Sequence, residues 1–113
     1  MHFQHLTYWQ DKVKNSAIET RLFINGVYCD AADNATFATV NPATQQTLAN
    51  VARGKQADVD RAVQAAREVF ERGDWSQASP AQRKAVLNKL ADLMEHHGEE
   101  LALLETLDTG KPI

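Results

Sequence analysis

The chain has 113 residues, 43% hydrophobic and 24% charged, an ordinary balance for one small globular domain. Twelve basic residues against fifteen acidic ones leave a net charge of −3, so there is no basic field to hold a phosphate backbone, and nucleic acid is not an expected partner. The apolar runs are too short to span a bilayer and the N-terminus lacks a basic segment followed by an apolar stretch, so no membrane partner is expected and a cytoplasmic location is.

Phe3, Leu6, Trp9, Val13 and Ala17 recur at spacings of three and four, which predicts an amphipathic helix over residues 2 to 18. His2 and His5 lie one turn apart on it, yet no third ligand stands near them, and solvated histidines are the expectation. Next come Leu22-Phe23-Ile24, Asn25-Gly26 and Val27-Tyr28-Cys29. Asn-Gly between two β-forming triplets predicts a hairpin closed by a type I′ turn, which needs positive φ at both central residues. Cys29 is the only cysteine, so it cannot close an internal disulfide. No histidine adjoins it and no helix start follows to acidify it, so it reads as a partly buried strand residue and not as a nucleophile.

Thr36 to Val40 is β-branched and aromatic, Asn41-Pro42-Ala43-Thr44 turns the chain, and Thr47 to Ala52 predicts a second strand. Asp58 and Asp60 then open a helix whose apolar stripe is Val59, Ala62, Val63, Ala66 and Phe70, ended by Gly73. Burying Val59, Val63 and Phe70 would be worth about 5–9 kcal/mol, while ordering the backbone costs about 1–2 kcal/mol per residue, so this stripe has to dock on something. Ser79-Pro80-Ala81-Gln82 is a helix start with its N-cap, its first-turn proline and its capping-box partner in place. Val86, Leu87, Leu90, Leu93 and Met94 are the expected inner face of that helix. His96-His97-Gly98 interrupts it; adjacent histidines diverge by about 100° on a helix and so do not chelate one ion. A last helix with Leu101, Leu104 and Leu107 on one side runs from Glu99 toward a stop at Gly110 and Pro112.

Several of these segments also work as words. Thr36 to Thr44 with Leu48-Ala49 and Val51 to Gly54, the helix Asp58 to Arg67, the helix Arg83 to Met94, and Leu107-Asp108-Thr109-Gly110-Lys111-Pro112 follow in order. Together with the hairpin they resemble the amino-terminal part of the NAD(P)-dependent aldehyde dehydrogenase superfamily over residues 21 to 113. At finer grain, Tyr8 to Lys12, Phe70 to Ser76 and Lys84 to Met94 are similar to its bacterial branch that acts on γ-glutamyl-γ-aminobutyraldehyde in putrescine breakdown.

The resemblance implies a thiolate that attacks an aldehyde, amide donors that hold the oxyanion, hydride transfer to NAD or NADP, and a glutamate that activates water. It also implies that these groups follow the position of Ile113. The sequence carries no Gly-Gln-x-Cys, no Pro-Trp-Asn and no glycine-rich nucleotide turn, so neither catalytic nor cofactor-binding residues are assigned to it. In several relatives a monovalent cation lies between backbone carbonyls and an aspartate at positions matched here by Thr39, Val40 and Asp108. The rival reading of Asp108 is a helix-end carboxylate bonded to nearby backbone amides.

The expected fold is therefore mixed α/β: an N-terminal helix, a hairpin and a strand pair followed by helices, a partial piece of a Rossmann-type cofactor domain. Residues 1–20 form a helical extension and 21–113 the incomplete domain. The parent is expected to be a homo-oligomer that takes a small aldehyde, while the isolated chain is expected to be an inactive scaffold. Its surface should be unusually apolar around Val59, Val63, Phe70, Leu90, Met94 and Leu104. The rival from another class is a stand-alone, non-catalytic interaction module that pairs with a full-length partner. A metal site from His2, His5, His96 and His97 is the weakest alternative.

Overall fold

The structure is a computed structural model and describes residues 4–113. Helix α1 (Leu6–Asn15) precedes strands β1 (Leu22–Ile24), β2 (Val27–Cys29), β3 (Thr36–Val40) and β4 (Thr47–Ala52), and helices α2 (Gln56–Arg72), α3 (Pro80–His96) and α4 (Gly98–Thr109) follow. The first helix is shorter at both ends than its apolar spacing suggests. Phe3 and His2 fall outside the described residues, and beyond Asn15 the chain is extended, with the Ser16 amide returning to the Val13 carbonyl.

The strands form two separate antiparallel pairs, β1 with β2 and β3 with β4. In the first, Asn25 has φ 53° and Gly26 φ 78°, the two positive values a type I′ turn needs, and Leu22 faces Cys29. In the second, the turn is built by Asn41: its side-chain oxygen accepts from the Ala43 amide at 2.9 Å, its carbonyl accepts from Gln45, and its amide donates to Gln46. Thr39 opposes Ala49 and Val40 opposes Thr47, so Leu48 is an extra residue on β4 and the ladder is broken beside Thr39 and Val40. The pairs are tied by main chain where the Ala52 amide donates to the Thr20 carbonyl ahead of β1, and the Arg53 amide extends the β3–β4 ladder by donating to the Ala35 carbonyl, both at 2.8 Å.

The helix boundaries follow their caps. Ser79 Oγ accepts from the Gln82 amide while Gln82 Oε1 accepts from the Ser79 amide, the reciprocal box read from the sequence. Gly73 closes α2, His97 separates α3 from α4, and Gly110 closes α4.

The apolar surface expected at Val59, Val63, Phe70, Leu90 and Met94 is present, each being more than half exposed, while the side of α2 that does pack is a different one. The half-buried side of α2 is Ala62, Ala65 and Val69 below buried Asp58, and this side faces the hairpin. Val59, Val63, Ala66 and Phe70 lie about 100° round the helix and are exposed. The stripe with the larger side chains thus stays open, Phe70 only lining a shallow groove with Phe23, while the small-residue side meets the hairpin. Helix α3 is exposed along nearly its whole length, its expected inner face included. Leu104, expected at the surface, is half-buried, and Leu103 beside it is buried, because α4 turns that side inward. Among the described residues only Ala31, Asp58, Gly73 and Leu103 are buried.

Candidate functional site

Two places gather polar groups from distant parts of the sequence. The first is where β3, the Asn41 turn and the end of α4 meet. Thr39 Oγ1 donates to Asp108 Oδ1 at 3.0 Å, a bond between residues 69 positions apart. Gly110 caps α4 with φ 75°, and a Cβ on it would stand 3.0 Å from Pro42 Cγ, so the end of α4 lies against the Asn41-Pro42 turn. The two words at residues 36–44 and 107–112 are thus one structural unit. Thr39 and Asp108 also line an open, mostly apolar groove of about 680 Å³ between β3–β4 and α4, bounded by Phe37, Leu48, Val51, Leu101 and Leu104.

The fate of the predicted cation residues is now explicit. Thr39 and Asp108 are in contact, and Val40 is the next residue of the strand, beside the Leu48 bulge where the ladder is interrupted. Asp108 accepts from a threonine hydroxyl, a partner that the backbone-amide reading does not provide. A carboxylate, a hydroxyl and the carbonyls at a broken ladder are hard oxygen donors, chemically suited to an alkali or alkaline-earth ion and unsuited to a soft one. The group has no nucleophile.

The second place is Asp58, at the third position of α2. Its carboxylate is buried and accepts from the Ala32 amide and the Lys55 amide, each at 3.0 Å, and from Arg61 Nη2 at 3.1 Å. It serves as helix cap and as a clamp on the loop after the hairpin, 26 residues away. The aspartate at a helix start was visible in the sequence; its partner at Ala32 had no local signal. Arg61 also reaches Cys29 Sγ at 3.5 Å. A guanidinium cannot take a proton from a thiol, so the contact supplies no base, in line with Cys29 as a strand residue.

Helix α1 is held to α4 through Glu99, which accepts from Tyr8 Oη at 2.6 Å and pairs with Lys12. The bond from Lys12, then that from Tyr8, hold the Glu99 carboxyl below its ordinary range, and the bond to Glu99 raises Lys12. At the chain's other bend Arg21 hydrogen-bonds Glu19 and lowers its carboxyl to about 2. Of the histidines, His5 precedes α1, while His97 Nδ1 lies 3.2 Å from Glu100 and its ring meets that of His96 edge-on. No group of three histidine, cysteine or carboxylate side chains is gathered among the described residues, and His2 lies outside them.

A dinucleotide needs free amides at a helix N-terminus for its diphosphate. At α2 the Asp58 carboxylate takes the Lys55 amide and places a negative charge in the first turn; at α3 the Ser79–Gln82 box takes two amides. These helix starts are self-capped and do not fit an anionic cofactor.

The turn of the second strand pair rests on the end of α4, and the chain belongs to the aldehyde dehydrogenase family, whose model matches residues 28–113. Among curated proteins it is 73% identical over all 113 residues to the NADP/NAD-dependent aldehyde dehydrogenase PuuC of Escherichia coli K12, of which it covers 23%. It is 54% identical over 93 residues to the putative aldehyde dehydrogenase DhaS of Bacillus subtilis, covering 82% of this chain and 19% of that one. Among solved structures it is similar to γ-glutamyl-γ-aminobutyraldehyde dehydrogenase of Burkholderia cenocepacia, with a TM-score of 0.93 and 48% identity over 95% of this chain and 22% of that one. An indole-3-acetaldehyde dehydrogenase in its apo form gives a TM-score of 0.91 at 47% identity, covering 94% of this chain and 24% of that one. The chain thus spans about a quarter of the length of such relatives.

Proposed function

We propose that these 113 residues are the N-terminal scaffold of an NAD(P)-dependent aldehyde dehydrogenase that oxidises γ-glutamyl-γ-aminobutyraldehyde to its acid in putrescine breakdown. The observation that carries the reading is 73% identity over all 113 residues with a dehydrogenase of dual NADP/NAD use; the substrate rests on the likeness to the Burkholderia enzyme. In this reading residues 1–20 are a helical extension, residues 21–113 begin the cofactor domain, and the dinucleotide is held by residues beyond those present. The parent is a cytoplasmic homo-oligomer. Its scaffold carries a monovalent cation between Thr39, Val40 and Asp108, supported by the contact of Thr39 with Asp108 beside a broken ladder.

The test has two parts. Reading the coding DNA past Ile113 should reveal a continuing frame with a Gly-Gln-x-Cys segment, and the product of that frame should form NAD(P)H from γ-glutamyl-γ-aminobutyraldehyde. The 113-residue chain alone should form none. A stop directly after Ile113 would overturn the reading in favour of the non-catalytic module, and NAD(P)H formation by the short chain would overturn the scaffold role.

A further inference from the structure

The chain holds six asparagines, and only Asn25 is followed by glycine. The distinction is chemical. The main-chain nitrogen that follows an asparagine can attack the side-chain carbonyl carbon, and it is least hindered where its own residue has no Cβ. The other five asparagines lack that opening. Asn41 precedes Pro42, which has no N–H, and Asn34 precedes Ala35, whose amide is bonded to Asp33 Oδ1 at 3.0 Å. Asn15 donates its side-chain amide to the Asp11 carbonyl, Asn50 precedes β-branched Val51 within β4, and Asn88 precedes Lys89 inside α3. Asn25 and Gly26, by contrast, are both exposed at the tip of the hairpin. A Cβ on Gly26 would meet nothing within 4 Å, and the Gly26 amide has no main-chain acceptor among the described residues.

We propose that Asn25 is a self-modification site, at which the Gly26 nitrogen closes a succinimide ring and water reopens it to isoaspartate, releasing the β1–β2 hairpin from α2. In the first step the bond from the Gly26 nitrogen to Asn25 Cγ forms and the Cγ–Nδ2 bond breaks. The Gly26 nitrogen gives its proton to solvent, and Nδ2 takes one and leaves as ammonia. Water then adds to a ring carbonyl: at Cγ it yields aspartate, and at the former main-chain carbon it yields isoaspartate. No oxidant or reductant takes part.

The fold sets both the pace and the consequence. A type I′ turn holds ψ of its first central residue at about 30°, which points the next nitrogen away from the side chain, so the ring closes only when the tip opens. Strands of three residues make such opening accessible, since a lone two-stranded hairpin is marginal. Isoaspartate routes the main chain through Cβ and Cγ, one atom longer, and leaves a free carboxylate at the turn. A two-residue loop has no slack for that atom, and the register of Leu22 with Cys29 and Ile24 with Val27 depends on the loop length. Leu22 and Ile24 are the half-buried side chains of β1, the strand that meets α2, so a slipped register withdraws them from the helix.

The experiment keeps the folded 113-residue chain in mildly alkaline buffer at physiological temperature and follows it by peptide mapping in a mass spectrometer. Methylation by an isoaspartyl carboxyl methyltransferase reports the isoaspartate itself. The expected result is a one-dalton gain concentrated in the peptide that carries Asn25, with methyl acceptance appearing alongside it. Gly26→Asn should slow both at least tenfold, because asparagine still supports positive φ while its Cβ crowds the attacking nitrogen. The isoaspartyl form, separated by its added negative charge, should show faster amide exchange in Leu22–Ile24 and Val27–Cys29 than the unmodified chain. A gain no greater at Asn25 than at the other asparagines overturns the proposal. So does an equal rate in Gly26→Asn, and so does an isoaspartyl form whose hairpin exchanges like that of the unmodified chain.

Discussion

Asp58→Ala tests the buried clamp. The substitution leaves the Ala32 and Lys55 amides without their carboxylate partner, and each bond to a charged acceptor is worth about 1.5 kcal/mol at the low end of its range. The Arg61 guanidinium is half exposed and regains water, so its share is below about 1 kcal/mol. The expected loss is therefore about 3 kcal/mol, a large part of the stability of any small domain. Asp58→Asn keeps one oxygen acceptor but points an NH2 at the second donor, so about half that loss is expected. Urea unfolding followed by circular dichroism gives the total. Amide hydrogen exchange gives the location: about 3 kcal/mol corresponds to roughly hundredfold faster exchange, concentrated at Ala32 and Lys55. Exchange at Ala32 that stays within twofold of the parent would refute the clamp, because that amide has no other acceptor in the structure.

Gly110→Ala should cost about 1–2 kcal/mol, since the residue sits at φ 75° and its new Cβ would meet Pro42 at 3.0 Å; an unchanged urea midpoint would show that the end of α4 does not rest on that turn. The Glu99 carboxyl, held low by Lys12 and then by Tyr8, contributes stability that is fully present above its unfolded value near 4.5 and is lost as pH falls through the lower folded value. Acidification below about pH 4.5 should therefore loosen α1 from α4, seen as a change in Trp9 fluorescence, and Glu99→Gln should abolish that transition; a transition that survives assigns it to another group. If Thr39, Val40 and Asp108 hold a monovalent cation, replacing potassium by choline at equal ionic strength should lower the melting temperature of the parent and leave Asp108→Ala unmoved. Equal shifts in both would remove the ion from this site.

Much of the fold was legible because it is written in short-range chemistry. Asn25-Gly26 specifies positive φ twice, Ser79 and Gln82 satisfy each other's amides, and Gly73 and Gly110 supply the left-handed ends of two helices. Each of these signals works within a few residues and needs no tertiary partner, so the strand and helix order came through. The meeting of Thr39 with Asp108 was legible only through resemblance, for nothing local to Thr39 points to a carboxylate 69 residues on.

What local chemistry could not settle is which side of a helix packs. Helix α2 has an apolar arc of about 160°, running from Ala65 through Val69 and Ala62 to Val59 and Val63, and a hydrophobic pattern reports only that such an arc exists. The hairpin meets the alanine edge, where Ala62, Ala65 and Val69 are half-buried. That leaves Val59, Val63 and Phe70 for a surface that can accept larger side chains from farther off. The same logic applies to α3, whose Ser79 cap makes it a well-bounded helix although its apolar stripe meets no partner among the described residues. Caps set where a helix begins and ends, whereas burial of its face requires a second element; a helix can thus be fully specified by its sequence and still present an open interface. Asp58 marks the boundary between these two kinds of information, since its bond to Lys55 is a local cap and its bond to Ala32 is the tertiary contact that fixes which edge of α2 turns inward.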